Sequence, residues 1–390
     1  MKTVYVGMSG GVDSSVAALL LKEQGYDIVG VYMKNWSQDL PGMKCPWAED
    51  LADAKRVAVK LGIDFEIWDF ENEYREKVVD YMLSEFRAGN TPNPDVMCNQ
   101  EIKFKLFYEK AMEAGADFIA TGHYARAQHS GDVFLGNGVA PARRYGRSAP
   151  SSSVVTSGHP QKNISSFPQL LRAVDENKDQ TYFLYRISNE ALSHTFFPIG
   201  EMLKPDVKKL AEKNGLHNAY KKESMGVCFV GEVGMKDFLK EYIDIKPGEI
   251  REIESDRVLG YHEGAVFYTI GQRHGLYLDG EKGVVNDGMP YYVVKKDIEN
   301  NIVYVSKNLN NENIWTKELK LRDLFMRTNS DAILSKKSSI LVRLRHRAPL
   351  LPATFDGENL VFENEVKRPA SGQSAVLYDG EICIGGGIIA

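Results

Sequence analysis

Apolar positions in the first part of the chain follow two alternating rhythms. Short, nearly unbroken apolar runs read as buried strands: "TVYVGM" at residues 3–8, then "DIVGVYMKNW", "DFEIWDF" and "DFIATGHYA". Between them lie stretches with helical spacing: "SSVAALLLKEQGY", closed by Gly25, then "EDLADAKRVAVKLGI", "NEYREKVVDYMLSEFRAG" and "NQEIKFKLFYEKAMEAGA". This alternation predicts an α/β fold, a parallel sheet covered on both faces. Ligands of such sheets sit beyond the carboxyl ends of the strands, where the segment after "TVYVG", the "KNW" and the "TGHYA" all fall.

The rhythm collapses between about Gln128 and Pro168, a stretch rich in Ser, Gly and Pro that predicts a mobile insertion. It resumes with "LLRAVDENKDQTYFLYRIS", the amphipathic "KPDVKKLAEKNGL" and the short helix "MKDFLKEYI". From about Gly248 short alternating strands take over: "YYVVKKDIENNIVYVSK", "SSILVRLRHRA", "ATFDGENLVFEN" and "SAVLYDGEICIGGGIIA". They predict a C-terminal all-β, barrel-like domain. The expected organisation is a nucleotide-binding domain at 1–204 with the irregular insertion at 128–168, a small central domain at 205–268, and a β-barrel at 269–390.

Composition narrows the classes. The chain has 390 residues, 43% of them hydrophobic, ample for several cores. Its net charge of −5 argues against a globally basic nucleic-acid binder but leaves room for local basic patches. No apolar run reaches the roughly 18 residues of a membrane helix, and no leader pattern opens the chain. A soluble, cytoplasmic protein without a membrane partner is expected. Four cysteines without a CxxC pair are too few for a disulfide scaffold and predict no zinc site.

The segment "VGMSGGVDSS", residues 6–15, carries the first chemical signal. Glycines between a strand and a helix let backbone N–H groups approach an anion, and the helix dipole favours negative charge there. Ser9, Ser14 and Ser15 add hydroxyls. A plain turn with serine caps is the alternative reading, and the whole string in its strand–helix setting outweighs it. No lysine follows the last glycine, as one does in GxxxxGK[ST], which argues against γ-phosphate transfer. The loop resembles that of the N-type ATP pyrophosphatases, whose members release pyrophosphate and place AMP on an oxygen that must leave. Asp13 would face the phosphates through Mg²⁺, since a bare carboxylate would repel them.

The cysteines differ in setting. Cys98, in "TPNPDVMCNQEIKF", lies just before an expected helix, where a thiol is acidified. Cys228, in "KKESMGVCFVGE", follows two lysines. Cys383 in its strand reads as core, and Cys45 as either core or reactive thiol.

Together the segments GMSGGVDSSVAA, the Met33–Trp36 strand end, NPDVMCNQEIKF, ATGHYA, VDENKDQTYFLY, SMGVCFVGE and HEGAVFYTIGQRHGL resemble the tRNA-specific 2-thiouridylase family, in family order over nearly the whole chain. The Gln128–Pro168 stretch departs from the family by being longer and more irregular. The resemblance implies a PP-loop ATP pyrophosphatase domain and ATP-dependent replacement of the C2 oxygen of the wobble uridine of tRNA by sulfur. It implies ATP contacts at Gly7, Met8, Ser9, Gly10, Gly11, Val12, Asp13 and Ser14, with Met33 and Gly122 on the adenosine side. Cys98 is then the nucleophile and Cys228 the persulfide residue, charged by a cysteine desulfurase or a sulfur-relay protein; Cys98 either attacks the inner sulfur of the persulfide, leaving a Cys98–Cys228 disulfide, or activates the sulfur for attack. Asn93, Pro94 and Asp95 would meet the target base, Asp95 counting also as catalytic. Lys178, Asp179 and Gln180 would contact tRNA, although their residue types alone read as a solvated polar turn. Arg343, Arg345 and Arg347 alternate and read as one basic strand face for phosphates or as a merely solvated one. A synthetase that adenylates a small molecule, or a non-catalytic RNA-binding protein, is the rival class; neither needs the cysteine pair.

Overall fold

The computed structural model describes residues 1–39, 45–128, 168–222, 235–278, 289–308, 310–311, 313–327 and 340–390. Strands β1 (Thr3–Gly7), β2 (Asp27–Lys34), β3 (Asp64–Asp69) and β4 (Phe118–Thr121) come first, followed by β5 (Arg126–Gln128), β6 (Gln169–Leu171) and β7 (Thr195–Phe196). Five of them form an all-parallel sheet in the order β3-β2-β1-β4-β7. Its central strands are apolar on both faces, with Val4, Val6, Val31, Ile119 and Ala120 fully buried, as a sheet covered twice requires.

The helix Val12–Glu23 follows β1 and ends at Gln24 and Gly25, the latter at φ +85. It is buried on nearly every side. The helix Lys204–Lys213 covers its outer side, and Val207 and Ala211 share a core with Val16 and Leu19. The boundary expected at 204 thus falls at the first residue of a helix that packs with the parallel sheet. The two helical stretches at 71–87 and 94–113 contain π-helical segments, Arg75–Asp80 and Cys98–Leu106, the second kinked at Phe104. Inserted π turns of this kind are frequent at functional sites.

Strands β8 (Gly248–Glu252), β9 (Val258–His262), β10 (Tyr292–Asp297) and β11 (Ile302–Ser306) form a second sheet, ordered β10-β11-β8-β9. The β10–β11 hairpin was expected in the barrel, but it joins β8 through a parallel pairing around Ile250 and Val303. Pairing between strands far apart in sequence leaves no local signature.

The barrel comprises β12 (Trp315–Met326), β13 (Ile340–Arg343), β14 (Leu351–Phe355), β15 (Asn359–Lys367), β16 (Ser374–Asp379) and β17 (Ile382–Ile389). Neighbour pairing runs β12-β15-β14-β13-β16-β17, and β17 returns to β12 to close it. Closure removes the exposed strand edges. Gly385 sits at φ +142 against the Phe325 backbone, which lets β17 bend between partners. The first residues of β17 pair with β6, and β6 with β5, so the barrel sheet continues into the parallel-sheet domain. Strands β5 and β6 flank the expected insertion, whose residues 129–167 lie outside the described residues.

The three alternating arginines do not share one strand face. Strand β13 stops at Arg343, and Arg345 and Arg347 sit exposed in the turn beyond it, Arg347 at φ +62. Arg343 is 4% exposed and donates from Nη1 to Asp179 Oδ2 at 2.6 Å, and Asp179 is itself 1% exposed. Asp179 also accepts from the Ala173 and Thr181 backbone N–H groups. Neighbouring bonds fasten the same joint: Thr181 to Tyr378 at 3.1 Å, the Tyr182 hydroxyl to the Ser374 carbonyl at 3.0 Å, and Arg186 to the Asp323 carbonyl at 2.8 Å.

Replacing Asp179 by Ala strands a buried guanidinium. We expect a loss of about 3–5 kcal/mol, read as a lower thermal midpoint and faster hydrogen exchange in β13; an unchanged midpoint would refute the strut. A pH effect arises at the same joint. His346 stacks on Phe183 with ring centroids 4.6 Å apart. Burial, then Arg347 and Arg343, push its pKa from 6.5 down to about 4. The stability gained from keeping it neutral is complete above 6.5 and drains away as pH falls toward 4. Melting curves of His346→Phe should therefore show a flatter decline across that window than those of the parent chain.

Candidate functional site

The turn after β1 is shaped by backbone contacts that only glycine tolerates. Gly10 adopts φ +75, and a Cβ there would collide with the Asp50 carbonyl oxygen. Gly11 then starts the helix Val12–Glu23 without a side-chain cap bond. The N–H groups of its first turn have no acceptor within the helix, which makes this end a seat for an anion. Loop hydroxyls fold inward: Ser14 Oγ accepts from Ser9 N at 3.2 Å and donates to the Gly11 carbonyl at 3.1 Å, and Ser15 Oγ donates to the same carbonyl at 2.9 Å.

Two further predicted residues close around this loop. Gly122, just past β4, abuts it so tightly that a Cβ would lie 2.5 Å from Ser14 N and 2.7 Å from the Asp13 carbonyl carbon. Met33, near the end of β2, reaches Gly7 with its terminal methyl. Met8 is buried beneath the turn. The structure therefore brings together Gly7 to Ser14, Met33 and Gly122, at the carboxyl ends of β1, β2 and β4.

Three further residues meet the loop or its aspartate without a sequence signal that ties them to it. Asn218 donates from Nδ2 to the Gly10 carbonyl and to Ser15 Oγ, each at 2.9 Å. Tyr124 donates its hydroxyl to Asp13 Oδ1 at 3.0 Å. Lys204, 191 residues along the chain, places Nζ 2.7 and 2.8 Å from the two Asp13 carboxylate oxygens. Tyr124 follows directly on "TGH" and was within reach of that motif; Asn218 and Lys204 carry no local signal.

The cysteine segment differs from expectation in one respect. The helix starts at Pro94, with Asn93 as its extended cap, and Cys98 lies a full turn further in. Proline at the first helical position reads from sequence as a breaker but is in fact pre-shaped for it. The helix-terminus argument for an acidified Cys98 thiol therefore weakens, since the dipole acts within the first turn. Cys98 is buried at 4% exposure in the main apolar core. Cys228 lies outside the described residues. Cys383 is core, as expected, and burial pushes its thiol up to about 12. Burial also raises the half-buried Cys45 thiol.

Lys103 links the cysteine helix to the loop. Its amine lies 3.5 Å from His123 Nε2, beside Gly122, and His123 Nδ1 pairs with Thr121 Oγ1 at 2.8 Å. Burial, reinforced by Lys103, holds the His123 pKa well below its usual value, so the ring is neutral. Burial raises the Asp95 carboxyl, with Lys103 opposing. Lys103 thus acts on both the Asn93–Cys98 turn and the Gly122–His123 segment. The barrel holds that turn from the other side. Gln373 Nε2 donates to the Thr91 carbonyl at 2.7 Å, and Thr91 N donates to the Ser371 carbonyl at 2.8 Å. A narrow recess opens here, lined by Tyr81, Asn93, Met97, Tyr185, Arg186 and Ser374 among others.

Lys178, Asp179 and Gln180 are not a solvated turn. Asp179 is interior, and Gln180 latches onto Tyr124, accepting from its N–H through Oε1 and donating N–H to its carbonyl, both at 2.9 Å. Lys178 is partly exposed. Among the described residues no group of three or more His, Cys, Asp or Glu could hold a metal, and no helix is long and apolar enough to cross a membrane.

Curated relatives match end to end. The tRNA-specific 2-thiouridylase MnmA of Lysinibacillus sphaericus is 42% identical, covering 99% of this chain and 93% of its own. Those of Listeria monocytogenes and Lactiplantibacillus plantarum are each 43% identical, covering 99% of this chain and 94% of theirs. This chain belongs to the tRNA-specific 2-thiouridylase family. Family models divide the thiouridylase-family chain into a tRNA methyl transferase HUP domain at 2–232, a tRNA methyl transferase PRC-barrel domain at 236–307 and an aminomethyltransferase beta-barrel domain at 317–389. The first takes in the parallel sheet and the helix Lys204–Lys213, the second the sheet β8–β11, and the third the closed barrel.

ATP use follows from the pyrophosphatase-type loop, and the tight seat of Gly122 offers a test. In Gly122→Ala the added methyl meets backbone that cannot retreat, at about 1–3 kcal/mol. The thermal midpoint should fall, and calorimetry should show weaker ATP binding because the shifted Asp13–Ser14 backbone presents its N–H groups less well, with the far-ultraviolet spectrum unchanged; wild-type affinity would contradict this geometry.

Proposed function

We propose that this chain is a tRNA-uridine 2-sulfurtransferase, replacing the C2 oxygen of the wobble uridine with sulfur and releasing AMP and pyrophosphate. One observation carries the reading. In a chain 42–43% identical to curated thiouridylases along its length, the nucleotide loop and the Cys98 helix converge on the Lys103–His123 contact. A rival class that adenylates a small molecule gives no role to that cysteine helix. Methyl transfer, the word in the family-model descriptions, needs no pyrophosphate-gripping loop.

ATP supplies the adenylyl group that turns the C2 oxygen into a leaving group. The loop N–H groups and the Ser9 and Ser14 hydroxyls would hold its phosphates, and Met33 and Gly122 would border the adenosine. Gly122 leaves the cradle that a side chain would fill. Mg²⁺ is assigned to Asp13 together with phosphate oxygens, the hard-oxygen set it prefers. Asn93, Pro94 and Asp95 would receive the flipped base. A carboxyl made less acidic by burial, as at Asp95, suits proton exchange with it. Lys178 and Arg345 would meet tRNA phosphates, while Asp179, Gln180 and Arg343 would shape the surface that carries them.

For sulfur, Cys228 would receive a persulfide from an upstream cysteine desulfurase or relay protein. Its terminal sulfur attacks C2 and the AMP oxygen departs. The Cys98 thiolate then attacks Cys228 Sγ, the sulfur–sulfur bond breaks toward the base, and C2=S remains beside a Cys98–Cys228 disulfide. An external thiol reduces the pair. A cytoplasmic enzyme is the reading that a tRNA substrate supports.

Cys98→Ser and Cys228→Ser should each abolish 2-thiouridine formation while ATP and tRNA still bind. Nucleoside mass spectrometry of tRNA incubated with ATP and a sulfur donor checks this, and normal thiouridine in either variant would refute the assignment.

A further inference from the structure

The loop lacks the lysine that phosphate loops usually carry, yet a polyphosphate must be neutralised there. The structure brings an ammonium from elsewhere. Lys204 is the first residue of its helix, and its side chain is 8% exposed. Its backbone N–H donates to Asp175 Oδ2 at 2.9 Å, so its origin is fixed. Its Nζ lies over the Tyr124 ring, 5.7 Å from the centroid, and touches both oxygens of Asp13. Asp13 stands in the first turn of the loop helix, where that helix would meet phosphate.

Burying an amine costs free energy unless its charge is used. A plain ion pair joining two helices would use it, but an exposed rim would serve that purpose more cheaply. Here the pair sits at the mouth of the anion seat, with the Tyr124 hydroxyl holding the carboxylate independently at 3.0 Å. An ammonium has three donors on a flexible stem. It can keep one bond to Asp13 and give another to a phosphate oxygen.

We infer that Lys204 is the phosphate-binding cation of this loop, supplied by a distant helix in place of a loop lysine. The inference rests on the nucleotide-loop reading and assigns the residue that recognises the pyrophosphate moiety. Lys204 contributes to polyphosphate binding and not to the nucleoside.

The test is equilibrium binding of inorganic pyrophosphate, ATP and AMP to the full chain, with melting curves of the free proteins as a folding control. Lys204→Met should raise the Kd of pyrophosphate and ATP by about 10- to 100-fold, the loss of a charge-assisted bond. The Kd of AMP should change much less, and Lys204→Arg should recover part of the loss. Unchanged pyrophosphate affinity overturns the assignment, as does equal weakening of AMP and pyrophosphate, which marks a structural ion pair. Should Lys204→Met fail to fold, Asp13→Asn in magnesium-free buffer carries the test. With the amine freed it should bind pyrophosphate at least as tightly as the parent, and tenfold weaker binding overturns the proposal. Failure of the parent chain itself to bind ATP or pyrophosphate defeats the nucleotide-loop reading along with it; loss confined to the distinctions above defeats Lys204 alone.

Discussion

The turn from Asp175 to Thr181 ties the molecule together by buried polar bonds. Asp175 holds the start of the Lys204 helix, Asp179 meets Arg343 of the barrel, Gln180 grips Tyr124, and Thr181 meets Tyr378. Tyr124 in turn holds Asp13 of the nucleotide loop. Each of these groups is costly to bury alone and tolerable only when paired. The consequence is geometric: one short segment sets the position of the loop, of the helix beside it and of the barrel. A family motif that looks like a contact surface serves in this chain first as a joint.

That joint explains how a two-sided site is built. The Asn93–Cys98 turn is packed from one side by the apolar core of the parallel-sheet domain and bonded from the other by the barrel turn at Ser371 and Gln373. The recess beside Asn93 draws its walls from both, with Tyr185 and Arg186 next to Ser374 and Ile388. Neither domain alone would shape it. A barrel that tilted by a small angle would change this recess before it disturbed the nucleotide loop, because Gly122 and Asn218 anchor the loop within its own domain.

The sequence showed clearly what is local and not what is remote. The loop was legible because Gly10 and Gly11 answer to backbone constraints within a few residues, and the strands and helices around it because their apolar periods are regular. Gly122 and Met33 came from the family resemblance, and contact with the loop bears on both. Lys204 and Asn218 were illegible because their partners lie far off in sequence. Asp179 misled because three polar residues in a row look solvated, and only the tertiary structure shows a buried guanidinium waiting for one of them. Arg343 misled in the same way, its alternation with Arg345 promising a face that ends where β13 ends. Pro94 hid the true start of the Cys98 helix.

Charge around the cysteine helix follows from the same burial. His123 and Lys103 are close enough that two full charges would repel, and burial resolves the conflict by leaving the imidazole neutral. A single ammonium then faces a carboxyl that burial has already made less acidic. A neutral imidazole keeps a ring nitrogen able to accept, and the Lys103 charge acts on Asp95. Were His123 charged, two cations would stand 3.5 Å apart in a buried setting between Gly122 and the cysteine helix. Keeping that ring neutral lets the Gly122–His123 segment pack against the cysteine helix without a second uncompensated charge at their contact.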